Sequence, residues 1–599
     1  MRPLLLTLVA LAIGSTSALA LPQDDLPALT TLAGDTPAQW RVIWTESPQT
    51  RATISWTTAE AGGEHRVHLA TAPMEGDLAR AARVIDAQRS GEFTQDDSDG
   101  LPSAYYHHVR LDDLEPSTTY WFVMESDASR SRELHFTTAP ADDREFRIVY
   151  GGDSRSGRED RARVNHLMAG LAEADDGLMA FCHGGDYIFN GRLWEHWSTW
   201  LSQHELTTGA SGKVLPIVPV RGNHDVGPLY DEVFDEPGGA GKNYYVVQLG
   251  AQAAILTLNS EISTAGDQAV WLEDRLAELR PANRWLLAQF HRPLYPAVKQ
   301  PGPAKVTWVP LFERFDLDLV LESDGHVVKR TMPIRDETFD PTGVTYIGEG
   351  GLGVPQRTPD GERWYLKPPG MTGRGHHVTV LEFSSERLRM RTVGPPLPLH
   401  EFMPKGHRDV VAQGDRWRYL AGDEPAERWT QGGYDDSAWS EGPAGFGYGD
   451  DDDATVLEDM RGSYERVYAR REFPASELAD AGTVALMVNY DDAFIAYLNG
   501  EEVLRVGVGE GSGPAATDIA RHEARRYEYF ELEDWRQAIE DADLVVLAIE
   551  GHNDRASSSD FTLDPYLIVD PRNAPTEGAA LRVIDDHELL PRTEATGAR

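Results

Sequence analysis

Polar side chains that can bind a metal follow an apolar run within residues 214–225. The run VLPIVPV has the length of a strand, and after Arg-Gly it is followed by an amide, an imidazole and a carboxylate, Asn223, His224 and Asp225. Buried parallel strands are continuous apolar runs, and ligands of α/β sheets bind beyond the carboxyl ends of such strands. The pattern therefore predicts a metal or phosphate site at the end of this strand.

The same arrangement recurs after four other apolar runs. RIVY and MAFCH are each followed by Gly-Gly-Asp, LLAQF by His-Arg-Pro, and LVLE by Ser-Asp-Gly-His. One Gly-Asp pair after a strand is most often a turn or a helix cap, but five such endings in one segment are much harder to obtain by chance. Carboxylates, an amide oxygen and imidazoles suit Zn, Mn or Fe. The sequence therefore predicts a metal centre where these strands end.

The segment that must position these side chains, residues 145–395, alternates apolar strands with longer helical stretches. The stretches EDRARVNHLMAGLAEA and GDQAVWLEDRLAELR carry apolar residues every three to four positions, which is typical of amphipathic helices. Alternating strands and helices predict an α/β layer architecture for this segment.

Two β-rich segments flank the α/β segment, as expected for a chain of 599 residues, which is too long for one core. Residues 37–140 contain short alternating strands between Gly-, Pro- and Asp-rich turns, a pattern that predicts a small antiparallel β-sandwich. After a Pro-rich linker at 396–412, strand patterns return in residues 413–570, where Asn499-Gly500 predicts a type I′ hairpin. Residues 571–599 are predicted to be a polar tail.

Charge and the N-terminal stretch limit the possible partners. The formal net charge of −41 argues against nucleic acid, because such binding depends on Lys and Arg contacts to phosphates. Residues 1–20 have the features of a cleavable export signal, with an apolar core too short to span a bilayer and a small-residue motif ending at Ala20. A secreted or periplasmic protein without membrane insertion is expected. The single cysteine, Cys182, ends an apolar run and is expected to be a buried thiol.

The motifs GGD, GGDYIFNG, GNHD, FHRPLY and SDGHVVKRT resemble those of the calcineurin-like metallophosphoesterases, particularly the purple acid phosphatase-like branch. The resemblance implies a four-layer α/β/β/α catalytic domain at 145–395. The phrase LDDLEPSTTYWFVM in 37–140 resembles the fibronectin type III domain that precedes purple acid phosphatase catalytic domains. VNYDDAFIAYLNG in 413–570 resembles the galactose-binding-like jelly rolls of secreted bacterial enzymes, which leaves a carbohydrate or surface contact open for this β domain.

The resemblance also implies which residues hold metal ions. In this family two metals, bridged by an aspartate and a hydroxide, lie at the strand ends, and the hydroxide attacks phosphorus in line. Asp186 would be the bridging aspartate, with Asp153 on the first metal. Asn223 and His291 would serve the second metal. The ions would be Fe, Zn or Mn. A separate Ca²⁺ site or a solvated turn is expected at the acidic run 450–453.

Four further residues are assigned to the substrate side. His224 would lie near the leaving group and protonate it, with Asp225 as its orienting partner. Arg155 suits phosphate because the guanidinium is planar and always charged, although a surface ion pair is an equal alternative. Asn190, at the end of GDYIFN, is assigned to substrate binding or to a turn.

Two departures from the family pattern concern the metal ligands. The family motif ends in Gly-His-x-His, and the register without a gap places Asp324 at the first His, on the second metal, and His326 at the second, on the first metal. The alternative register makes His326 the first His and leaves Val328 at the second position. Purple enzymes also carry a tyrosinate ligand three residues after the bridging Asp, where this chain has Phe189.

The function expected from these residues is hydrolysis of a small phosphorylated substrate, a phosphate monoester, by an exported two-metal enzyme. The same site suits a phosphodiesterase or nucleotidase. A third alternative is a surface-binding protein with a degraded metal site. Because five expected site residues, Asp153, Asp186, Asn223, His224 and His291, are all present, the enzyme is favoured over the degraded site.

Overall fold

The computed structural model describes residues 30–591, apart from 96–99, 237–240, 396–403, 405, 450–452, 523, 525–526, 533–534, 541 and 572–581. The predicted export signal lies outside the described residues, and so do three of the four aspartates of the acidic run. No helix in the described part is long and apolar enough to cross a membrane. The chain divides into two compact units, residues 1–396 with 580–599, and residues 397–579.

An N-terminal β domain opens the first unit. Its alternating sequence pattern becomes nine short strands, arranged largely as antiparallel neighbours. The strands are β1 (Ala38–Ile43), β2 (Ala52–Thr58), β3 (His65–Ala70), β4 (Arg83–Asp86), β5 (Arg89–Glu92), β6 (Tyr105–Leu111), β7 (Thr119–Ser126), β8 (Ser129–Arg130) and β9 (Leu134–Thr137).

The α/β part of the first unit follows. Its strands are β10 (Phe146–Gly151), β11 (Leu178–His183), β12 (Ile217–Pro219), β13 (Tyr245–Leu249), β14 (Ala253–Thr257), β15 (Trp285–Gln289), β16 (Leu319–Glu322), β17 (Val328–Arg330), β18 (Ile334–Arg335), β19 (Thr338–Phe339), β20 (Thr345–Gly348), β21 (Met371–Gly373), β22 (Val378–Phe383) and β23 (Leu388–Gly394). Its helices are α1 (Arg158–Ala174), α2 (Trp194–His204), α3 (Leu229–Phe234), α4 (Asp267–Leu279) and α5 (Ala304–Arg314).

Two large sheets pack against each other in this part. One contains β22, β10, β11 and β12 as neighbours, and the other is ordered β13-β14-β15-β16-β20-β17-β21. A continuous apolar core joins their facing surfaces, for example Tyr150 and Cys182 of the first sheet with Ile255 and Leu287 of the second. Separate apolar clusters lie under α1 and α2 on the outside of the first sheet and under α4 and α5 on the outside of the second. The result is a helix–sheet–sheet–helix layering.

The sheet of the N-terminal domain is continuous with the first of these sheets. β1 runs parallel to β12, with Ile43 opposite Ile217, and the order continues through β2 and β6 to β5. The sequence predicts a separate β-sandwich here, whereas the structure extends one sheet through both parts. The second sheet of the β domain is formed by β4, β3, β7 and β8, with β9 also paired to β7.

The second unit consists of two six-stranded sheets around one apolar core. The predicted type I′ hairpin is confirmed, since Asn499 and Gly500 have φ of 48° and 95° between two antiparallel strands. The elements are β24 (Arg408–Val411), β25 (Arg416–Ala421), β26 (Ser440–Pro443), β27 (Phe446–Tyr448), β28 (Thr455–Val456), β29 (Arg466–Pro474), β30 (Val484–Tyr490), β31 (Ala493–Leu498), β32 (Glu501–Val506), β33 (Glu528–Glu531), a short helix α6 (Trp535–Ala538), β34 (Leu544–His552) and β35 (Phe561–Val569).

The chain then returns to the first unit. Part of the predicted polar tail forms β36 (Arg582–Leu589), which pairs antiparallel with β23 as the edge strand of the ten-stranded sheet. Arg330 donates two hydrogen bonds to the carboxylate of Asp585, at 2.6 and 3.1 Å. Backbone pairing and these charge-assisted bonds hold β36 in place. The segment has too few apolar residues for the sequence to predict a strand.

Candidate metal centre

The predicted metal-binding side chains lie at the carboxyl ends of strands from both sheets. In the first sheet β10, β11 and β12 end shortly before Asp153, Asp186 and Asn223, and in the second sheet β15 and β16 end shortly before His291 and Asp324. Carboxyl ends of parallel strands share one edge of a sheet, and the packing of the two sheets brings both edges together.

Four of these residues form a buried cluster. Asp153, Asp186, His291 and Asp324 each offer one ligand atom, and these atoms lie within 4.8 Å of one another. His291 Nε2 lies 3.2 Å from Asp186 Oδ1, 3.6 Å from Asp324 Oδ1 and 3.2 Å from the amide oxygen of Asn223. Separations of this size suit ligand atoms that each lie about 2.0–2.2 Å from a shared ion.

A second group of donors adjoins the first. His326 Nε2 lies 3.3 Å from Asp153 Oδ1, which is buried and has no hydrogen-bond partner in the described part of the chain. Asp186 directs Oδ1 toward His291 and Oδ2 toward the side of Arg155 and His224. This arrangement follows the register that places Asp324 and His326 at the end of the motif. Metal binding by the six residues stays a prediction.

The backbone at four of the predicted ligands is left-handed. φ is 59° at Asp153, 57° at Asp186, 69° at Asp324 and 60° at His326. For residues with a Cβ this conformation costs roughly 1–2 kcal/mol each and persists only where the surroundings enforce it. Such a concentration at one cluster is typical of a functional site, because the strain aims several donors at one point.

Two glycines allow the ligand loops to approach so closely. A Cβ at Gly222 would lie 2.4 Å from Asp186 Oδ1, and a Cβ at Gly350, which has a φ of 83°, would lie 1.9 Å from Asp153 Oδ2. Both distances are far below van der Waals contact. Any side chain at these positions would displace a predicted metal ligand.

The charges of the cluster call for a cation. Burial opposes protonation of His291, but Asp186 and Asp324 outweigh it and raise the pKa of His291 well above its usual value. Burial likewise opposes ionisation of Asp186, yet His291 lowers the pKa of this carboxyl to about 2. Three buried carboxylates around one imidazole favour a positive charge at this point, which a metal ion would supply. Together with Asp153 Oδ1, which accepts no hydrogen bond from the described residues, this donor set fits a dinuclear centre.

The structure corrects the predicted role of Asp225. Its carboxylate accepts the backbone N–H groups of Asp186, Tyr187 and Gly222 at 2.8–3.0 Å, and these bonds tie two ligand loops together. The imidazole of His224 is oriented instead by the carbonyl of Phe189, 2.6 Å from Nδ1. Water cannot reach these backbone N–H groups, so they need an acceptor within the protein, and the carboxylate of Asp225 provides it. Asp225 therefore does not orient His224, although the two residues are adjacent in the sequence.

The imidazole of His224 lies beside the cluster and is partly exposed to solvent. Nε2 lies 3.9 Å from Asp186 Oδ2, and about a quarter of the side chain (27%) is exposed. Because Nδ1 is engaged by a carbonyl, Nε2 is the nitrogen available to exchange a proton with a substrate.

Arg155 and Phe189 line the same side. Arg155 Nε lies 3.5 Å from Asp186 Oδ2, and its guanidinium lies 5.7 Å from the ring centre of Phe189. Phe189 is 58% exposed, and its ring lies 5.4 Å from that of His224. The neighbouring Tyr187 is fully buried and stacks on His183, away from solvent.

Asn190 lies in the turn that follows Phe189. Its side-chain oxygen accepts the backbone N–H of Arg192 at 3.1 Å, and its own N–H donates to His196 Nδ1 at 3.0 Å. These contacts account for the residue as a turn former. Its assignment to substrate binding stays a prediction.

Two cations that sequence reasoning missed also reach the centre. Lys299 Nζ donates to Asp324 Oδ1, and Arg357 Nη1 donates to the carbonyl of Asp324 at 2.9 Å. Neither belongs to a motif, and Arg357 is far along the chain from its partner. No signal in the sequence predicts these contacts, because they depend on how the loops fold over one another.

Three buried charged residues, Lys329, Glu322 and Glu349, form an ion triad next to the loops of the centre. Lys329 donates to Glu322, to Glu349 at 2.9 Å and to the carbonyl of Tyr295 at 3.0 Å, and all three charged side chains are fully buried. Glu349 also accepts the N–H of Ala297 at 2.9 Å. The triad therefore links the loop after β15 to the end of β16, to β17 and to the segment after β20.

Comparisons with known proteins agree with these features. The family described as "Purple acid Phosphatase, N-terminal domain" matches residues 37–138, and the family "Calcineurin-like phosphoesterase" matches residues 146–329. Purple acid phosphatase 23 of Arabidopsis thaliana is 26% identical over 300 residues, covering 42% of this chain and 65% of that protein. Fe(3+)-Zn(2+) purple acid phosphatase 12 of the same plant is 22% identical over 340 residues, covering 50% of this chain and 68% of that protein.

Among solved structures, purple acid phosphatase PPD1 of yellow lupin, Lupinus luteus, is 18% identical, with a TM-score of 0.49 over 60% of this chain and 72% of that one. The chain spans 65% and 55% of the lengths of two of its curated relatives, purple acid phosphatases 23 and 15 of Arabidopsis thaliana. Residues 37–329 of this chain therefore match a purple acid phosphatase N-terminal domain followed by a calcineurin-like phosphoesterase domain.

Proposed function

We propose that this chain is an exported hydrolase of phosphate monoesters that works with two metal ions. The observation that carries the proposal is the buried cluster of Asp153, Asp186, His291 and Asp324 at the meeting edges of two sheets, with Asn223 and His326 completing the donor set. Both relatives are named as phosphatases, and this supports the choice of phosphate monoesters as substrates.

Two groups of donors would each hold one ion. One group surrounds His291 Nε2, which lies within 3.6 Å of Asp186, Asn223 and Asp324, and the other is formed by Asp153 and His326, whose ligand atoms lie 3.3 Å apart. When bound, the ions supply Lewis acidity toward the phosphoryl group and lower the pKa of a water molecule. The relative named for Fe(3+) and Zn(2+) supports these two metals as the first pair to test.

The protein's own side chains would orient and protonate the substrate. Arg155 presents a guanidinium beside Asp186, where it can donate to phosphate oxygens in a fork geometry. His224 Nε2, partly exposed, is placed to protonate the departing alkoxide, a step that typically contributes ~10²–10⁴-fold in rate. The exposed ring of Phe189 stands next to both groups, on the side where the organic part of the ester would leave.

The proposal is tested by assaying the purified protein, loaded with Fe and Zn, Zn alone or Mn, against an aryl phosphate and an aryl phosphodiester. We expect the monoester to be hydrolysed with a kcat/KM at least about tenfold higher than that of the diester, since a dianionic phosphoryl group gains more from two dications and Arg155. Chelated protein is the control. A preference for the diester would make the chain a phosphodiesterase, and no hydrolysis of either ester with any metal would refute an enzymatic role.

A further inference from the structure

Lys299 reaches a predicted metal ligand from solvent. Its Nζ donates to Asp324 Oδ1, the same oxygen that lies 3.6 Å from His291 Nε2. The side chain of Lys299 is 37% exposed, whereas that of Asp324 is 5% exposed. The ammonium group therefore stands at the mouth of the site, between the metal ligands and the water from which a substrate would arrive.

The negative charge of Asp324 calls for a nearby cation that offsets it. Asp324 adds a third carboxylate to Asp153 and Asp186, and each carboxylate reduces the attraction that a pair of metal ions exerts on an anionic substrate. The chain as a whole carries a formal charge of −41, which disfavours the approach of a phosphate dianion. A cation at the mouth offsets both effects locally.

Lys299 has donor capacity to spare. An ammonium group carries three N–H donors, and Asp324 is the one acceptor of Lys299 among the described residues. Arg155 approaches the same cluster through Asp186 Oδ2, so the two cations flank the ligands of the centre at different carboxylates. A tetrahedral phosphate offers oxygens in several directions, and two flanking cations can each bind one of them.

We propose that Lys299 is a substrate-binding residue of this site, which offsets the charge of Asp324 and donates to an oxygen of the phosphate ester or of the phosphate product. The substrate class rests on the proposed function. The position of the Lys299 ammonium group is taken from its contact with Asp324 in the structure. Arg357, which bonds the carbonyl of Asp324 at 2.9 Å, holds the loop and is not part of the proposal.

The test measures binding of inorganic phosphate to the metal-loaded protein by calorimetry, together with metal content by mass spectrometry. Lys299→Met should keep the metal content of the wild type and weaken phosphate binding by roughly 10- to 100-fold, the size expected for a hydrogen bond to a charged group. Lys299→Arg keeps the charge and the donors and should remain within about fivefold of the wild type. The KM for the aryl phosphate should rise in parallel with the phosphate Kd.

Lys305→Met is the matched control, because Lys305 pairs with Glu337 at 3.1 Å and lies over the ring of Tyr295, outside the centre. Its phosphate binding should equal that of the wild type. Unchanged phosphate binding in Lys299→Met, or loss of metal instead of phosphate affinity, would overturn the proposal. A wild-type protein that takes up no metal and hydrolyses neither ester refutes the proposed function, whereas an active wild type with an unaffected Lys299→Met variant refutes the role of Lys299 alone.

Discussion

Asp186→Asn is expected to lose bound metal and to reduce phosphoester hydrolysis by more than about 100-fold. Replacing a residue that only hydrogen-bonds to a metal ligand typically costs up to about 100-fold, and loss of a ligand should cost more. The two oxygens of Asp186 face different side chains, since Oδ1 lies 3.2 Å from His291 Nε2 and Oδ2 lies 3.9 Å from His224 Nε2. An amide has only one oxygen and no charge, so it cannot serve two ions at once. Metal content and kcat/KM for an aryl phosphate measure the effect.

Asp318→Asn is the control for a buried Asp-to-Asn change in the same unit. Asp318 precedes β16 at the end opposite Asp324, and it accepts bonds from Arg280 and from the backbone of Leu286, each at 2.8 Å. This variant should keep its metals even if it is less stable. An Asp186→Asn protein with the metal content and activity of the wild type would contradict the assignment of Asp186.

Lys329→Met is expected to lower the free energy of unfolding by ~3–5 kcal/mol, because it removes one partner of a buried ion network. The ammonium lies between Glu322 and Glu349, and all three side chains are fully buried. Burial opposes the charge of Lys329, but the two glutamates outweigh it and raise the pKa of the lysine, so it is held as a cation between them. Urea unfolding of the first unit measures the loss.

Two comparisons make this prediction specific. Lys305→Met, which breaks a partly exposed pair with Glu337, should cost at most about 1 kcal/mol. Adding Glu322→Gln and Glu349→Gln to Lys329→Met should recover part of the loss, because no uncompensated charge then stays buried. A Lys329→Met protein as stable as the Lys305→Met protein would show that the triad does not hold the loops together.

The positions of the predicted metal ligands could be inferred from the sequence because each depends on local information. An apolar run of strand length fixes a buried strand, and the polar residues directly after it then lie at the ligand edge of the sheet. Asp153, Asp186, Asn223, His291 and Asp324 all follow such runs, and the structure brings them together.

Other features could not be predicted because they arise from contacts between distant segments. Asp225 satisfies backbone N–H groups of a loop almost 40 residues earlier, and so it does not orient His224. Lys299 meets Asp324 only when two loops fold over the same edge. β36 is an edge strand whose pairing partner, β23, lies almost 200 residues before it, and its mixed apolar and acidic sequence carries no clear period.

The central claim is that the cluster at the edges of the two sheets holds two metal ions. Mass spectrometry of the wild-type protein, loaded with Fe and Zn or with Mn and then freed of excess metal, tests it most directly. Because the donors form two groups, one around His291 and one formed by Asp153 and His326, we predict two metal ions per chain, with Asn223→Ala losing the ion on the His291 side. One metal ion or fewer per chain under every loading condition would contradict the account.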